Sequence, residues 1–377
     1  MILDDVTSFW WEAITGPQLL VEKIAACLSD GASVVLRLDG PLPWRAQLRD
    51  FVAHRLFQVK LHPLSWDGMD AKEQIVPALL EQLCRSELSA CPSDYRSQLK
   101  YLKNEAVFAN LVVWLSTAGR QDQTALLQFL SDYRGKDLTR HGAFVLEVPG
   151  GQDLPTLSDR CVVLKCSEYI RHSDLLLYAN ILADGTHANP ELKSYMACTA
   201  TDLAGWDAEL IPEILQRIDF SREDPVQALI RMWNEGSLSC PDNRPGDQEL
   251  QLRLWAAQLQ SVFAQIELER LRITDEYGAL IEEALAMEYW EPRWNRTGYI
   301  QQHGDELESA SDVELGTLVR MMSLQRNGNR SLPLLSFPDR GIQGRIIFLT
   351  ECRNNLAHHR VCSPEQMCNL LNFTKDR

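Results

Sequence analysis

Five short apolar runs rich in β-branched residues punctuate the first 170 residues, at 33–39, 57–64, 111–117, 142–148 and 161–166. Runs that are apolar throughout, instead of alternating, are expected of strands buried on both faces, as in a parallel sheet. Amphipathic segments at 45–56, 75–86 and 123–133 lie between most of them. Alternation of this kind predicts a three-layer α/β domain. A helix over 17–28 precedes the first run and is expected to stop at Asp30-Gly31, because glycine suits the left-handed residue that ends a helix.

After Cys166 the pattern becomes helical. Segments 173–183, with Ser173 as N-cap, and 224–234, with Pro225 in its first turn, read as helices. The stretch 239–246, SCPDNRPG, reads as a linker, since Pro, Asn, Asp and Gly each disfavour regular structure. Residues 248–287 are helical in pattern, in two pieces hinged near Thr274 or Gly278, and further helices are expected at 311–323, 342–357 and 363–371. The expected organisation is an α/β domain over 1–170, a helical region and linker over 171–246, a long helical connector over 247–294, and a helical domain over 295–377. No internal repeat interrupts this order.

The formal charge of −15 argues against a whole-surface grip on nucleic acid, which needs clustered Lys and Arg. Between Leu318 and Ser363, however, seven arginines (Arg320, Arg326, Arg330, Arg340, Arg345, Arg353, Arg360) face only Asp339 and Glu351. The ten cysteines are scattered without CxxC pairs, which predicts buried thiols in a reducing compartment and no metal site. Asp4 and Asp5 stand where a leader would be basic, and no apolar run approaches the ~20 residues of a membrane span. A soluble, cytoplasmic protein with no membrane partner is expected.

The first apolar run leads into Asp39-Gly40-Pro41-Leu42-Pro43-Trp44-Arg45. Strand spacing over 34–166 resembles P-loop ATPases of the AAA-like type, whose phosphate loop reads GxxxxGK followed by Ser or Thr. Here Pro41 and Pro43 have no N–H, no Lys or hydroxyl follows, Asp39 repels phosphate, and the third run ends in Ser116-Thr117 where a metal-binding Asp is expected. The resemblance therefore implies a degenerate domain with no nucleotide-binding residues and no cofactor, its shape kept for a regulatory protein partner. An unrelated parallel α/β domain, with Gly40-Pro41 a simple turn, reads the same residues equally well. Trp10, Trp11, Trp44 and Trp66 are either interface anchors or core.

Near the other end, Glu351-Cys352-Arg353-Asn354-Asn355-Leu356-Ala357-His358-His359 sets an arginine, two amides and two histidines in an apolar helical frame. With the segment 312–319, it resembles HEPN domains, helical bundles many of which cut RNA without metal. The resemblance implies that Arg353 binds the scissile phosphate, His358 acts as general base or acid, and Asn354 orients it. Asn355, His359 and Glu351 would support them, with Arg345 and Arg360 as phosphate contacts. RNA brings its own 2′-hydroxyl nucleophile, so a proton acceptor near neutrality and a cation suffice, and a 2′,3′-cyclic phosphate is the expected product.

Geometry sets a condition. Arg353 and His358 are five positions apart and diverge by about 140° on an unbroken helix. Either the helix breaks near Leu356-Ala357, or two copies face each other, so a homodimer through the C-terminal domain is part of the expectation. The other reading of the same residues is a plain helix end, with the amides on backbone groups and the histidines in solvent.

The combined expectation is a metal-independent HEPN-type ribonuclease regulated by an inactive ATPase-like domain, an arrangement that resembles bacterial defence or toxin systems. The alternative is a non-catalytic scaffold or partner-binding protein in which both domains are inactive. Glu282, Glu283 and Glu288 with Trp290 and Trp294 suggest a carbohydrate or metal site but read as a solvated helical face, the isolated His54, His62 and His141 lack ligand spacing, and Ser116 and Ser336 are in no nucleophile-elbow context, so none is assigned a function.

Overall fold

The computed structural model of the protein describes residues 3–66, 72–117, 120–151, 154–238, 244–286, 309–327 and 330–372. They form two compact units. The first comprises Met1–Ile181 and Ala204–Ile211, and the second Leu182–Leu203 and Pro212–Arg377.

In chain order the first unit contains α1 (Leu3–Ala13), α2 (Thr15–Ser29), β1 (Ser33–Leu38), α3 (Arg45–Arg55), β2 (Lys60–Trp66) and α4 (Lys72–Leu83). A 3-10 turn (Arg85–Ala90), α5 (Tyr95–Asn104), β3 (Leu111–Thr117), α6 (Arg120–Tyr133), α7 (Leu138–His141), β4 (Ala143–Pro149), β5 (Cys161–Lys165) and α8 (Cys166–Tyr169) follow. All five expected runs are strands, paired in parallel in the order β2-β3-β4-β1-β5.

The central strands explain the unbroken apolar runs: Val34 to Leu36, Val112 to Leu115 and Ala143 to Leu146 are buried on both faces. On one face, Val35, Val113, Leu115, Phe144 and Leu146 share a core with Leu79 of α4 and with Leu126, Phe129 and Tyr133 of α6. Phe144 meets Phe108, Phe129 and Tyr133 edge-on at 5.7, 5.2 and 5.2 Å, the geometry aromatic quadrupoles favour.

The second strand starts at Lys60, later than its apolar run. Phe57 is 85% exposed and Gln58 takes a left-handed φ of 55°, so these residues form the turn that enters the sheet. β2 is an edge strand whose Leu64 and Trp66 are buried while Lys60, His62, Pro63 and Ser65 are exposed. A proline is tolerated in such a strand because only one side needs ladder donors.

The stop after α2 is a Schellman closure: Gly31 N–H donates to Leu28 O at 2.9 Å and Ala32 N–H to Cys27 O at 3.0 Å. Gly31 has a φ of 73°, and a Cβ there would lie 2.6 Å from the Asp137 nitrogen. Only glycine fits both demands. Trp10 and Trp11 are fully buried and Trp66 nearly so, which makes these three core residues instead of interface anchors. Trp10 packs on Tyr178 at 5.2 Å and on the half-buried Trp44 at 6.2 Å.

From β1 the chain crosses to the far edge of the sheet, and from β4 it crosses β1 to reach β5. The connections leaving these adjacent strands thus run in opposite directions. The crevice between their carboxyl ends is a topological switch point, where open α/β sheets bind ligands.

α9 (His172–Asp184), α10 (Pro190–Ala204) and α11 (Leu210–Arg217) follow. α9 begins one residue before the expected cap Ser173, and Asp174 in its first turn accepts the Arg171 N–H at 2.8 Å. The second unit continues with α12 (Pro225–Asn234), α13 (Asp247–Glu276), α14 (Gly278–Ala286), a 3-10 turn (Ala310–Asp312), α15 (Leu315–Met322), an antiparallel hairpin of β6 (Leu324–Asn327) and β7 (Arg330–Pro333), α16 (Arg340–Ala357) and α17 (Pro364–Asn372).

The hinge expected near Thr274 or Gly278 falls at Tyr277, between α13 and α14. The linker 239–246 lies partly, and Glu288, Trp290 and Trp294 wholly, outside the described residues. α13 packs against α12, α16 and α17. Among the described residues, no helix is long and apolar enough to cross a membrane.

Candidate functional site

The RNNLAHH stretch is the end of α16. The helix runs unbroken to Ala357, with His358 as its C-cap. His358 N–H reaches both Asn354 O and Asn355 O at 3.1 Å, Arg360 N–H donates to Asn355 O at 2.8 Å, and His359 N–H to Leu356 O at 3.3 Å. This is the same Schellman closure that ends α2, with His359 at φ 56° in the place of Gly31.

α13 locks the closure from outside. Trp255 Nε1 donates to Leu356 O at 2.7 Å, and its ring meets the His359 imidazole edge-on at 4.7 Å. Buried Gln258 holds both backbone groups of Cys362, accepting its N–H at 2.7 Å and donating to its carbonyl at 3.0 Å. Between these anchors Cys352 and Cys362 lie buried, with the Cys362 thiol donating to the Cys352 carbonyl at 3.8 Å; interaction between the two side chains pushes Cys352 up and draws Cys362 down.

Of the side chains singled out in the sequence, Glu351, Asn354, His358, His359 and Arg360 are exposed, and Arg353 and Asn355 half-buried. The Arg353 guanidinium has no hydrogen-bond or ion-pair partner among the described residues. The helix does not break before Ala357, so Arg353 and His358 stay about 140° and about 7.5 Å of helical rise apart within one chain. Arg345 is a different case. Its fork grips Glu269 of α13 with Nε and Nη2 both at 2.7 Å, its Nη1 donates to Asn369 at 2.7 Å, and it is 8% exposed. All three nitrogens are committed inside the fold, so the expected phosphate contact by Arg345 is replaced by a structural ion pair.

In the first unit, the loop from Asp39 to Trp44 sits at the switch point, and the protein's own carboxylates occupy its donors. Trp44, N-cap of α3 at φ 41°, donates its N–H to Glu209. Glu147, at the carboxyl end of β4 and 4% exposed, lies 3.2 Å from Arg45 Nε and 3.7 Å from Arg49 Nη2, and accepts Trp114 Nε1–H at 2.6 Å. The Arg49 guanidinium also stacks 5.8 Å from the Trp114 ring centroid. Burial draws the Arg49 pKa down while Glu147 holds it up. A helix N-terminus with two arginines behind it is where an anion is drawn, and here both anions come from the chain itself.

Beside this network is a pocket of about 340 Å³, its open mouth included, lined by the 38–43 loop, Cys166, Ser167, Ile170 and Trp206. Gly40 allows the approach of Trp206, whose Cβ would be 2.7 Å from a Cβ at that position. Asp39 Oδ2 accepts the Ser167 N–H at 3.2 Å. Trp206 is 43% exposed. Among the described residues, no group of three or more His, Cys, Asp or Glu could hold a metal.

Glu147, Glu209, Trp206, Trp255, Gln258 and Glu269 were not marked by any motif. Their partners lie far off in sequence, and the one local signal was the acid of Glu147 inside an apolar strand.

No protein-family model matches the sequence, and no curated protein matches it. Among solved structures, the chain is similar to one described as "Structure of Drosophila ORC bound to DNA", with 14% identity and a TM-score of 0.34 over 95% of this chain and 87% of that one.

Proposed function

We propose that the protein is a non-catalytic, partner-binding protein whose first unit is a degenerate P-loop-like domain of the AAA-like type. A strand inserted between the first and third of a parallel sheet supports the fold part of this reading. The observation that carries the function part is the pair Glu147 and Glu209, which take the arginines and the N–H at the start of α3 that a phosphate would need. Such a loop keeps its shape while the Trp44 N–H and the two arginines behind it already face carboxylates of the chain. A ligand at one hundred times its Kd stabilises a fold by about 2.7 kcal/mol. Thermal unfolding with millimolar Mg-ATP or Mg-ADP is therefore expected to match the ligand-free midpoint, and a rise with nucleotide concentration would refute the reading.

A second reading is the HEPN-type ribonuclease, favoured by one observation: the Arg353 guanidinium, without a partner among the described residues, lies on the same helix as the exposed Asn354, with the exposed His358 at its cap. Because α16 is unbroken to Ala357, catalysis would require Arg353 of one protomer and His358 of another. Incubation with total cellular RNA tests this. Cleavage by the wild type that is lost in both Arg353→Ala and His358→Ala, and restored by mixing the two variants, supports it; no cleavage by the wild type removes it.

A further inference from the structure

The switch-point pocket is built to refuse anions. Asp39 stands at its rim, Pro41 and Pro43 have no N–H, the Trp44 N–H is held by Glu209, and Arg45 and Arg49 face Glu147. What it presents is complementary to the opposite charge on an apolar stem. Its walls are Leu38, Leu42, Pro43 and Ile170, with an indole at the side and a carboxylate at the lip. The second oxygen of Asp39 has no partner among the described residues.

We propose that this pocket binds the side chain of an arginine or lysine presented by a protein partner, the aliphatic stem against the apolar wall and the cationic head between Asp39 and Trp206. Three features favour this occupant. A tryptophan is the best aromatic partner for a cation, at about 0.5–2 kcal/mol. Apolar walls with a few placed polar groups at a switch point are the usual form of a binding site. Trp206, 43% exposed beside the mouth, is also the residue type most enriched where protein partners anchor. The inference deepens the partner-binding reading and rests on it.

The test uses the full chain labelled with 5-fluorotryptophan, with the Trp206 fluorine signal assigned by its disappearance in Trp206→Phe. The probes are n-butylguanidinium, the neutral n-butanol, inorganic phosphate, and a capped Gly-Arg-Gly peptide. A saturable shift of the Trp206 signal with butylguanidinium is expected, at least tenfold weaker with butanol and in Asp39→Asn, with the peptide binding more tightly than butylguanidinium. Equal response to butanol, no loss in Asp39→Asn, a response to phosphate, or no response at Trp206 would each overturn the cation site. A peptide no tighter than free butylguanidinium would overturn its assignment to a protein partner. Stabilisation by Mg-ATP with the cation response intact would instead refute the partner-binding reading of the unit and leave the pocket's chemistry standing. Native thermal midpoints for Asp39→Asn and Trp206→Phe guard against loss of fold.

Discussion

Replacing Glu147 isolates the network that closes the switch point. Its side chain is 4% exposed, and it faces two cations of unequal value. Arg45 is 43% exposed, so that pair is screened and is worth at most about 1 kcal/mol. Arg49 is 18% exposed, and burial draws it down while Glu147 holds it up, so its buried charge is compensated by Glu147. Removing one partner of a buried pair costs about 3–5 kcal/mol, because the other charge stays buried without a counter-ion. Glu147→Ala is expected to cost that much, including the Trp114 N–H left without an acceptor.

Glu147→Gln keeps an acceptor for Trp114, at 2.6 Å in the wild type. It should recover about 1–2 kcal/mol of the loss. In Glu147→Met with Arg49→Met, no charge is stranded and the Trp114 N–H alone lacks its acceptor, so stability should return to within about 1–3 kcal/mol of the wild-type value. Hydrogen exchange on peptides covering β3 and β4 reads the first unit separately from the second. At about 1.4 kcal/mol per decade, protection should fall by about two to three and a half decades in Glu147→Ala. A loss below one decade, or a double variant worse than Glu147→Ala, would refute the view that Arg49 is held by this carboxylate.

Arg345→Lys should destabilise the second unit by about 2–4 kcal/mol despite the retained charge, because an ammonium cannot reproduce the two-pronged grip on Glu269; urea unfolding followed by exchange in α13 and α16 measures it. At the end of α16, His359→Gly relieves a left-handed side chain worth about 1 kcal/mol and loses the edge contact with Trp255, so it should be near neutral, whereas His359→Ala keeps the strain and should cost about 1 kcal/mol by the same assay. Burial pushes the thiols of Cys161 and Cys166 up to about 12 and Cys198 up to about 11, so iodoacetamide at pH 8 should leave all three unmodified in the native protein and label them after denaturation, as mass spectrometry of peptides would show. Asp94, which caps α5, is held below its ordinary value of 3.8 by hydrogen bonds from Ser97. A carboxylate lowered in the folded state contributes fully above its unfolded pKa and loses that contribution as pH falls through the folded one. Protection of α5 should therefore stay level from neutrality to about pH 5 and decline below about pH 4.

The strands were legible because each central one is buried on both faces, and that leaves a continuous apolar run in the sequence. α5 was not, since only Gln98, Leu99 and Leu102 of its ten residues are buried and the rest are polar, which leaves too narrow an apolar stripe to stand out. The β6–β7 hairpin was missed although the sequence between its strands, Gly328-Asn329, is a turn signal; the short flanking runs carry little alternation to go with it. At the candidate sites, spacing alone showed that Arg353 and His358 could not meet on an unbroken helix, and α16 is unbroken to Ala357. What spacing could not show is that Trp255 and Gln258, about a hundred residues earlier, fasten that helix end. Glu147 was hidden for the same reason: its arginines come from the other end of the sheet domain's sequence.

Pro63 on β2 has a consequence for how these molecules behave in a crowd. A five-stranded open sheet has two rims, and each rim invites a strand from another molecule to extend the ladder. On the β2 rim an incoming strand would meet a residue with no N–H to give and, on either side of it, the exposed Lys60, His62 and Ser65. Growth of aggregates from that rim is blocked by one ring, and Pro63→Val would unblock it: the substitution should leave the fold intact while raising light scattering on prolonged incubation.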